Sequence, residues 1–262
     1  MSRIKKRNAF QIFLAVQKAL FLRELTMRFS VSKTGVFWIF FEPFVQVLVM
    51  VLLKVIIFGR VSDNFDFAVF IALGFIAFNL FKNIIMKSMG VFKANKALFV
   101  YKQVKPIDTI VARILVELFI TGVIVICFVA IGFYFDYDLN VQNLPLVVLG
   151  FIWLVVFAFS LVVLLSVGNA FYSSVGKIIS ILMRFLMYSS AIFYTLEMLP
   201  MEIQSLLLWN PLVHFMEMIH GHYFYVLDDG LVSYYYMALW TLIPLYFGLW
   251  FYDKLEERII SL

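Results

Sequence analysis

The stretch that decides the fold is LPLVVLGFIWLVVFAFSLVVLLSVG, residues 144–168, which contains no charged side chain. A helix that crosses the hydrocarbon core of a bilayer needs about 20 mostly apolar residues. Five further runs of this kind flank it. We therefore predict an all-α integral membrane protein of one transmembrane domain (residues 1–262) with six spanning helices, at residues 36–58, 67–86, 112–135, 144–168, 178–196 and 231–252.

The composition of the whole chain supports this prediction. Of the 262 residues, 64% are apolar and 14% are charged, and the mean hydropathy is +0.99. Soluble domains are about half apolar and about a quarter charged. The composition therefore excludes an ordinary soluble enzyme, a disordered regulator and a disulfide-stapled secreted module. The single cysteine, Cys127, cannot form an internal bridge and lies in an apolar run.

The net charge of +5 is distributed in a way that indicates topology rather than a nucleic-acid partner. Segments 136–143 and 197–230 carry acidic residues and no Lys or Arg, so the positive-inside rule places them outside, with the 59–66 turn. We expect the N-terminus (residues 1–35), the basic loop 87–108 and the tail 253–262 to be cytoplasmic. Two segments hold most of the basic residues: Arg3, Lys5, Lys6, Arg7, Lys18, Arg23, Arg28 and Lys33, and Lys82, Lys87, Lys93, Lys96, Lys102 and Lys105.

Two segments outside the spans have their own patterns. Residues 10–29 repeat apolar side chains near helical spacing, with Gln17, Lys18, Glu24 and Arg28 between them. This pattern predicts an amphipathic helix on the cytoplasmic membrane surface, or else a soluble helix packed on a partner. Residues 197–230 are apolar but are divided by prolines into pieces too short to cross. They predict re-entrant helices on the outer face, split near Asn210 and Pro211.

No motif for catalysis is present. The sequence contains no Gly-x4-Gly-Lys-[Ser/Thr] phosphate loop, no Gly-x-Ser-x-Gly elbow and no His-Glu-x-x-His helix. We therefore expect no catalytic residue in this chain and ATP hydrolysis on a separate subunit. His214, His220 and His222 lack the Cys or carboxylate pattern of a metal site, so we predict no metal and hydrogen bonding at the outer surface instead.

Ionisable residues inside the predicted spans are informative, because burying a charge in lipid is costly. Arg113 and Glu117 are four residues apart on one helical face, which favours a local ion pair. Arg184 lies about 10 Å deep at helical rise, where it either snorkels to the headgroups or faces a path for an anionic cargo.

Glu42 precedes Pro43 near the inner end of the first span. The proline frees a backbone carbonyl and bends the helix at this point. We expect the carboxylate of Glu42 to cap this region, or to pair with Arg28 or Lys33, rather than to relay protons.

Three parts of the sequence, in the right order, are similar to ABC-2-type polysaccharide export permeases, and most of all to their capsular-polysaccharide branch, the KpsM type. One position departs, because His220 stands where several relatives carry Arg. The matching strings are LRELTMRFS (22–30), KTGVFW (33–38) and Glu42-Pro43 near the N-terminus, then ANKALFVY (94–101), VKPIDTI (104–110) and Ala112-Arg113 in the cytoplasmic coupling loop, and WNPLVH (209–214) with Glu217 on the outer side.

This resemblance implies a homodimeric permease in the inner membrane of a Gram-negative bacterium, paired with two ATP-binding subunits that hold ATP and Mg. The expected cargo is a lipid-linked, usually acidic, capsular polysaccharide. Periplasmic co-polymerase and outer-membrane export proteins of the capsule pathway would carry it onward, and no nucleic acid is expected as a partner.

The candidate site residues form four groups. For coupling to the ATPase we expect Lys93, Lys96, Phe99, Tyr101, Lys105 and Pro106. For binding the substrate headgroup at the inner interface we expect Arg23, Arg28, Lys33 and Arg184. For the translocation path we expect Trp38, Phe41, Glu42, Tyr188, Phe193 and Tyr194. For the outer gate we expect Trp209, Asn210, Pro211, His214 and Glu217.

Three alternatives stay open on the sequence alone. An O-antigen or teichoic-acid exporter keeps the architecture and changes the cargo. A proton-coupled secondary transporter would use Glu42 and Glu117, and it predicts inverted repeats, of which none is clear. A membrane-bound glycan enzyme needs a polar catalytic cluster at an interface, and none stands out.

Overall fold

The computed structural model describes residues 8–30, 33–58 and 65–261, and at residues 33, 34, 57 and 58 it describes the backbone alone. Predictions on residues 1–7, on most of the 59–66 turn and on the Lys33 side chain lie outside the described residues. The described chain is helical, with 3-10 turns at Lys96–Val100 and Leu196–Met198. Its α-helices are α1 (Ala9–Ser30), α2 (Lys33–Phe58), α3 (Phe67–Ser88), α4 (Val91–Ala94), α5 (Pro106–Tyr134), α6 (Leu144–Phe171), α7 (Ser174–Ser189), α8 (Met201–Leu207), α9 (Pro211–Tyr223) and α10 (Tyr234–Ser261).

Four helices are long and apolar enough to cross a membrane: α2 over Gly35–Ile56, α3, α5 and α6. They correspond to the first four predicted spans. The largest difference in their bounds is at α5, which begins at Pro106 rather than at residue 112. Proline is favourable at the first helical position, and the Asp108 carboxylate accepts a hydrogen bond from the Lys105 N–H at 2.9 Å, so this polar turn starts the helix.

The last two predicted spans correspond to helices of different proportions. Helix α7 has 16 residues, about 24 Å at helical rise. It ends at Ser189, whereas the predicted span ended at residue 196. Two residues after the end of the helix, Ala191 adopts a positive φ of 54°. Helix α10 has 28 residues and continues through most of the predicted tail 253–262. Helix α7 is shorter than the other four, and α10 is long enough but is not among the described helices that are both long and apolar enough to cross, so a total of six spans stays a prediction.

Helix α3 forms the centre of the fold. Of its most apolar stretch, 72% is buried, against 11% for the corresponding stretch of α2. Helices α2, α5 and α6 pack against it, and α6 makes its most extensive contact with α10. That contact is close because position 248 is glycine: a Cβ there would lie 2.9 Å from the Leu164 backbone nitrogen of α6.

The outer segment between α7 and α10 contains two short helices, α8 and α9, with the break at Asn210 as predicted. Helix α9 packs on α6, where the rings of Phe157 and Phe215 stack with centroids 5.0 Å apart. Every residue of α9 from Leu212 to Gly221 is buried. The depth of these helices in a membrane, and therefore their re-entrant character, stays a prediction.

Candidate functional site

Helix α1 covers the predicted interfacial segment, and it packs on α5 with polar side chains. Gln17 and Glu24 are buried, whereas Phe10 and Leu14 are 67% and 50% exposed. The buried side of α1 is mixed, since Leu20 is buried too, whereas a soluble amphipathic helix buries its apolar side and exposes its polar side. The exposed apolar side chains are therefore placed as a membrane-facing surface would need them.

Ion pairs and hydrogen bonds join α1 to α5 at successive turns, beside apolar contacts such as that between the rings of Phe21 and Phe119. Gln17 Nε2 donates to the Asp108 carbonyl at 3.3 Å. Farther along the two helices, Glu24 Oε2 lies 3.4 Å from Arg113 Nε, and Arg28 forms an ion pair with Glu117. We call this set, together with Arg23 and Asn95, the polar seam.

The polar seam corrects two predictions. Arg113 and Glu117 each pair with a residue of α1 and not with each other, and Arg28 pairs with Glu117 and not with Glu42. The physical reason is partly orientation, since an i, i+4 pair with the basic residue first is the less favourable order along a helix. In addition, Glu24 and Arg28 of α1 lie next to Arg113 and Glu117, and buried charges need an oppositely charged partner.

The seam continues into the coupling loop. Arg23 Nη1 donates to Asn95 Oδ1 at 2.6 Å, and Asn95 is itself buried, with its Nδ2 donating to the Val91 carbonyl at 3.0 Å. The Arg113 guanidinium also donates to the carbonyl of Lys87 at the end of α3. Helix α1, the start of α5 and the coupling loop are thus joined by side-chain contacts.

The candidate coupling residues divide by exposure. Phe99 and Pro106 are buried within the chain, so their contribution is to position the loop rather than to offer surface. Among the exposed residues of the loop that the sequence reasoning missed are Lys102 and Val100, of which the latter is 83% exposed. The larger side chains of the loop that are exposed for a partner include those of Lys93, Lys96, Val100, Tyr101, Lys102 and Lys105.

The structure does not gather the candidate headgroup residues into one site. Arg23 and Arg28 already have partners in the polar seam, although Arg23 also lines a shallow surface groove of α1 with Leu22, Thr26, Met27 and Ser30. Arg184 is exposed on α7, which packs mainly against α3 and α6.

The candidate path residues form two clusters. On α2, the rings of Trp38 and Phe41 lie 6.0 Å apart, and Glu42 follows. After α7, Phe193 stacks on Tyr188 with centroids 6.0 Å apart, and the Tyr194 hydroxyl donates to the Tyr188 carbonyl at 3.2 Å. Trp38 and Tyr188 are more than half exposed, at 54% and 62%.

Three polar residues near Glu42 were missed as site residues: Gln46, Asn79 and Lys82. Gln46 follows Glu42 by one turn, and Asn79 and Lys82 are three residues apart within α3. Lys82 was grouped with the second block of basic residues although the predicted span 67–86 contained it, and the structure places it inside the apolar helix α3. The signal in the sequence was a pair of polar residues at helical spacing in each of two apolar runs.

The outer-gate residues hold the loop that follows α7. Asn210 caps α9 through its Oδ1, which accepts from the Leu212 N–H at 3.0 Å, while its Nδ2 donates to the Ser189 carbonyl at 3.1 Å. Glu217 Oε1 accepts from the buried Leu196 N–H at 3.0 Å. Two polar side chains of the α9 segment therefore fasten the loop, while Trp209 is 77% exposed.

Burial sets the charge of the groups in α9. It raises the pKa of Glu217 to about 7 and lowers that of His214. The Ser233 N–H donates to Nδ1 of His214 at 3.2 Å, so Nε2 carries the proton that it shares with the Leu208 carbonyl at 3.0 Å. His214 thereby joins the segments on either side of α9 as a neutral imidazole.

The other two histidines have different surroundings. His220 is fully buried with its ring stacked 4.0 Å from that of Phe70, and burial lowers its pKa to about 3. His222 Nε2 lies 3.5 Å from an Asp229 carboxylate oxygen. Among the described residues, no group of three or more His, Cys, Asp and Glu side chains is arranged to hold a metal ion.

With this architecture in view, comparison with known proteins identifies the class. Residues 16–224 match the family described as ABC-2 type transporter. The match covers most of the chain, from inside α1 to the end of α9. The chain belongs to the ABC-2 type transporter family.

Individual relatives are polysaccharide transport or export proteins. The chain is 32% identical over 260 residues to the polysialic acid transport protein KpsM of Escherichia coli, covering 97% of this chain and 99% of that protein. It is 28% identical to the capsule polysaccharide export inner-membrane protein CtrC of Neisseria meningitidis serogroup A, with 93% of each chain covered. It is 27% identical to the capsule polysaccharide export inner-membrane protein BexB of Haemophilus influenzae, and the match covers 87% of this chain and 86% of BexB.

Proposed function

We propose that the chain is the transmembrane permease subunit of an ATP-driven exporter that moves a lipid-linked, acidic capsular polysaccharide across the bacterial inner membrane. The observation that carries this proposal is the similarity to a polysialic acid transport protein along nearly the whole of both chains. Because the sequence has no phosphate-binding loop, ATP and Mg belong to a separate ATP-binding subunit. The permease itself catalyses no reaction.

In this proposal six helices cross the membrane, namely α2, α3, α5, α6, α7 and α10, within a single domain. Both termini are cytoplasmic, α1 lies at the inner surface, and α8 and α9 form the outer re-entrant element. Two copies form the exporter with two ATP-binding subunits. The small buried fraction of α2, 11% of its most apolar stretch, supports a face covered by lipid or by the second copy.

Coupling to ATP hydrolysis would pass through the loop before α5. Exposed Lys93, Lys96, Tyr101 and Lys105 supply the contact surface for an ATP-binding subunit. The bond from Arg23 to Asn95 joins this loop to α1, and the polar seam joins α1 to α5. Closure of the ATP-binding subunits would therefore move α1 and α5 together and open a route between α2 and α7.

The headgroup of the glycolipid would meet the inner interface at the groove of α1 that Arg23 lines, with Arg184 and Lys33 as further cations. At the other face, the segment fastened by Asn210 and Glu217 would form the outer gate. Beyond it, periplasmic co-polymerase and outer-membrane export proteins would receive the glycan.

The proposal is tested first by purifying the tagged chain from its native membranes in mild detergent and identifying its stoichiometric partners. We expect one ATP-binding subunit per permease chain. A chain that purifies alone and without a nucleotide-hydrolysing partner would contradict the assignment, and proton coupling at Glu42 and Glu117 would then be examined.

Charge reversal tests the coupling surface. Lys96→Glu and Lys105→Glu change exposed side chains, so we expect an intact complex in which ATP hydrolysis no longer drives glycan export. Lys254→Glu, an exposed reversal near the end of α10, serves as the control and should export normally. Coupling that survives both loop reversals would place the contact elsewhere.

A further inference from the structure

Four polar side chains form a continuous hydrogen-bonded chain between α2 and α3. Lys82 Nζ donates to Asn79 Oδ1 at 2.9 Å, and Asn79 Nδ2 donates to Gln46 Oε1 at 2.8 Å. Gln46 Nε2 then donates to Glu42 Oε1 at 3.2 Å. Gln46 and Asn79 are 33 positions apart in the sequence, so the contact depends on the packing of the two helices.

The two ends of this chain fix its direction. An ammonium group can only donate hydrogen bonds, and an ionised carboxylate can only accept them. All three bonds therefore run from Lys82 toward Glu42, and both amides are oriented by their neighbours. Such a chain polarises its members in one sense, which strengthens each bond.

The chain lies within the apolar part of the fold. Glu42 is seven residues from the start of the apolar stretch of α2 at Gly35, and Lys82 is six residues from the end of α3 at Ser88. At helical rise these separations correspond to about 10 Å and about 9 Å from the same end of the two antiparallel helices. Ionisable groups at such depth are costly, and they mark substrate or ion pathways.

A third charge stands at the same level. Ser180 of α7 lies 4.0 Å from the sulfur of Met86, and nearer the outer side Ile192 contacts Gly74, so α7 runs antiparallel to α3. Arg184 follows Ser180 by four residues, and Lys82 precedes Met86 by four. Both cations are thus displaced by about 6 Å from that contact in the same direction.

We propose that Glu42, Gln46, Asn79 and Lys82, with Arg184, form a glycan-binding site on the export path. The amides and the carboxylate supply the mixed donors and acceptors that sugar hydroxyls need, and the two cations attract the carboxylate of an acidic sugar. This inference rests on the proposed function and assigns its cargo site.

The surroundings fit a sugar. Glu42 and Arg184 are exposed, so both are accessible from the surface of the chain. Trp38 lies one turn before Glu42 and is 54% exposed, which offers an aromatic face to the apolar side of a sugar ring. Two cations oppose one carboxylate at this level, which leaves a net positive charge for an anionic ligand.

A purely structural role is the competing explanation, because polar side chains also join helices inside membranes. The double variant Glu42→Lys/Lys82→Glu separates the two roles. Both amides can turn over, and the same three hydrogen bonds then form in the reverse direction. We expect an unchanged unfolding midpoint. Export of the acidic glycan should fall at least about tenfold, because the exposed end of the hydrogen-bonded chain then presents an ammonium in place of the carboxylate that accepts from a sugar hydroxyl, which is the loss of one charge-assisted hydrogen bond.

If the swapped variant exports the glycan at the wild-type rate, the proposed glycan-binding site is wrong. If the swapped variant does not reach the membrane, photocrosslinking decides instead. A photoreactive phenylalanine analogue replaces Trp38 in one strain and the exposed Phe37, at the same depth but on the side of α2 away from Gln46, in another. We expect a glycan adduct at position 38 and none at position 37.

The same cells report on the proposed function separately. Deleting the chain should abolish export of the acidic glycan, and restoring it should recover export. A strain that exports through this chain yet yields no adduct at position 38 overturns the binding site alone. A strain whose export does not depend on the chain overturns the proposed function and the site together.

Discussion

Arg113 of α5 pairs with Glu24 of α1 across 3.4 Å, and not with Glu117 four residues farther along its own helix. Both side chains are nearly enclosed, at 14% and 9% exposure. A charge buried to this extent needs a partner. The pair therefore holds α1 to α5, and it makes the surface helix part of the same unit as the spanning helix.

Removing one member of the Glu24–Arg113 pair should lower the stability of the fold more than removing both members. Arg113→Met leaves the Glu24 carboxylate buried without its partner, which costs about 3–5 kcal/mol of folding free energy. The double variant Glu24→Leu/Arg113→Met removes the uncompensated charge and should recover most of that loss. Unfolding midpoints in detergent measure both, and equal midpoints for the single and double variants would contradict a buried pair.

Asn210 should contribute in two separable ways. Asn210→Ser keeps a capping oxygen for α9 but loses the bonds to the carbonyl of Ser189 and the hydroxyl of Ser190. Asn210→Ala loses the cap as well, which costs about 1 kcal/mol more. We expect stability to fall from wild type to the serine variant and again to the alanine variant. Equal stability of serine and alanine variants would show that the cap does not matter.

Stability should depend on pH through Glu217. Burial raises its pKa in the folded state to about 7, above the ordinary value of 4.5, so between these values the folded chain binds more protons than the unfolded chain. Stability is then full below pH 4.5 and declines as the pH rises toward 7, by at most about 1.4 kcal/mol per pH unit.

The matched variant for this pH effect is Glu217→Gln, which keeps an acceptor for the Leu196 N–H. Its unfolding midpoint should lack the decline that the wild type shows between pH 4.5 and 7. The measurement is a series of thermal unfolding curves across this range. A parallel decline in both proteins would assign the titration to another group.

The contact of α6 with α10 should tolerate no side chain at position 248. Gly248→Ala places a Cβ 2.9 Å from a backbone atom that cannot turn aside, and overpacking of this kind costs about 1–3 kcal/mol. Gly168→Ala is the control, because its nearest neighbouring atom lies at 3.8 Å and alanine favours the helix. We expect a lower unfolding midpoint for the first and an unchanged or higher one for the second.

The positions of α2, α3 and α6 were predictable because a spanning helix imposes a long apolar run on the sequence. The break at Asn210 was predictable for a similar local reason, since proline and a capping residue mark a helix start. Features that one helix determines by itself are visible in its own sequence.

The partners of the polar residues were not predictable in this way. Spacing along one helix suggested a bond between Arg113 and Glu117, but the choice depends on which charges α1 presents at each level. The contact of Gln46 with Asn79 requires the relative register of α2 and α3, which neither run contains. Phe99 looked like a surface contact until the path of the coupling loop placed it in the core.

The closeness of α10 to α6 also bears on how the protein is made. Helix α10 begins more than sixty residues after α6 ends, so α6 leaves the ribosome with its largest contact surface uncovered. Until Gly248 reaches Leu164, the nascent chain carries an open strip beside the last turns of α6, the kind of incomplete packing that exposes an intermediate to misassembly. A chain that ends before this point would keep that strip uncovered, and in this respect it would differ from the finished protein.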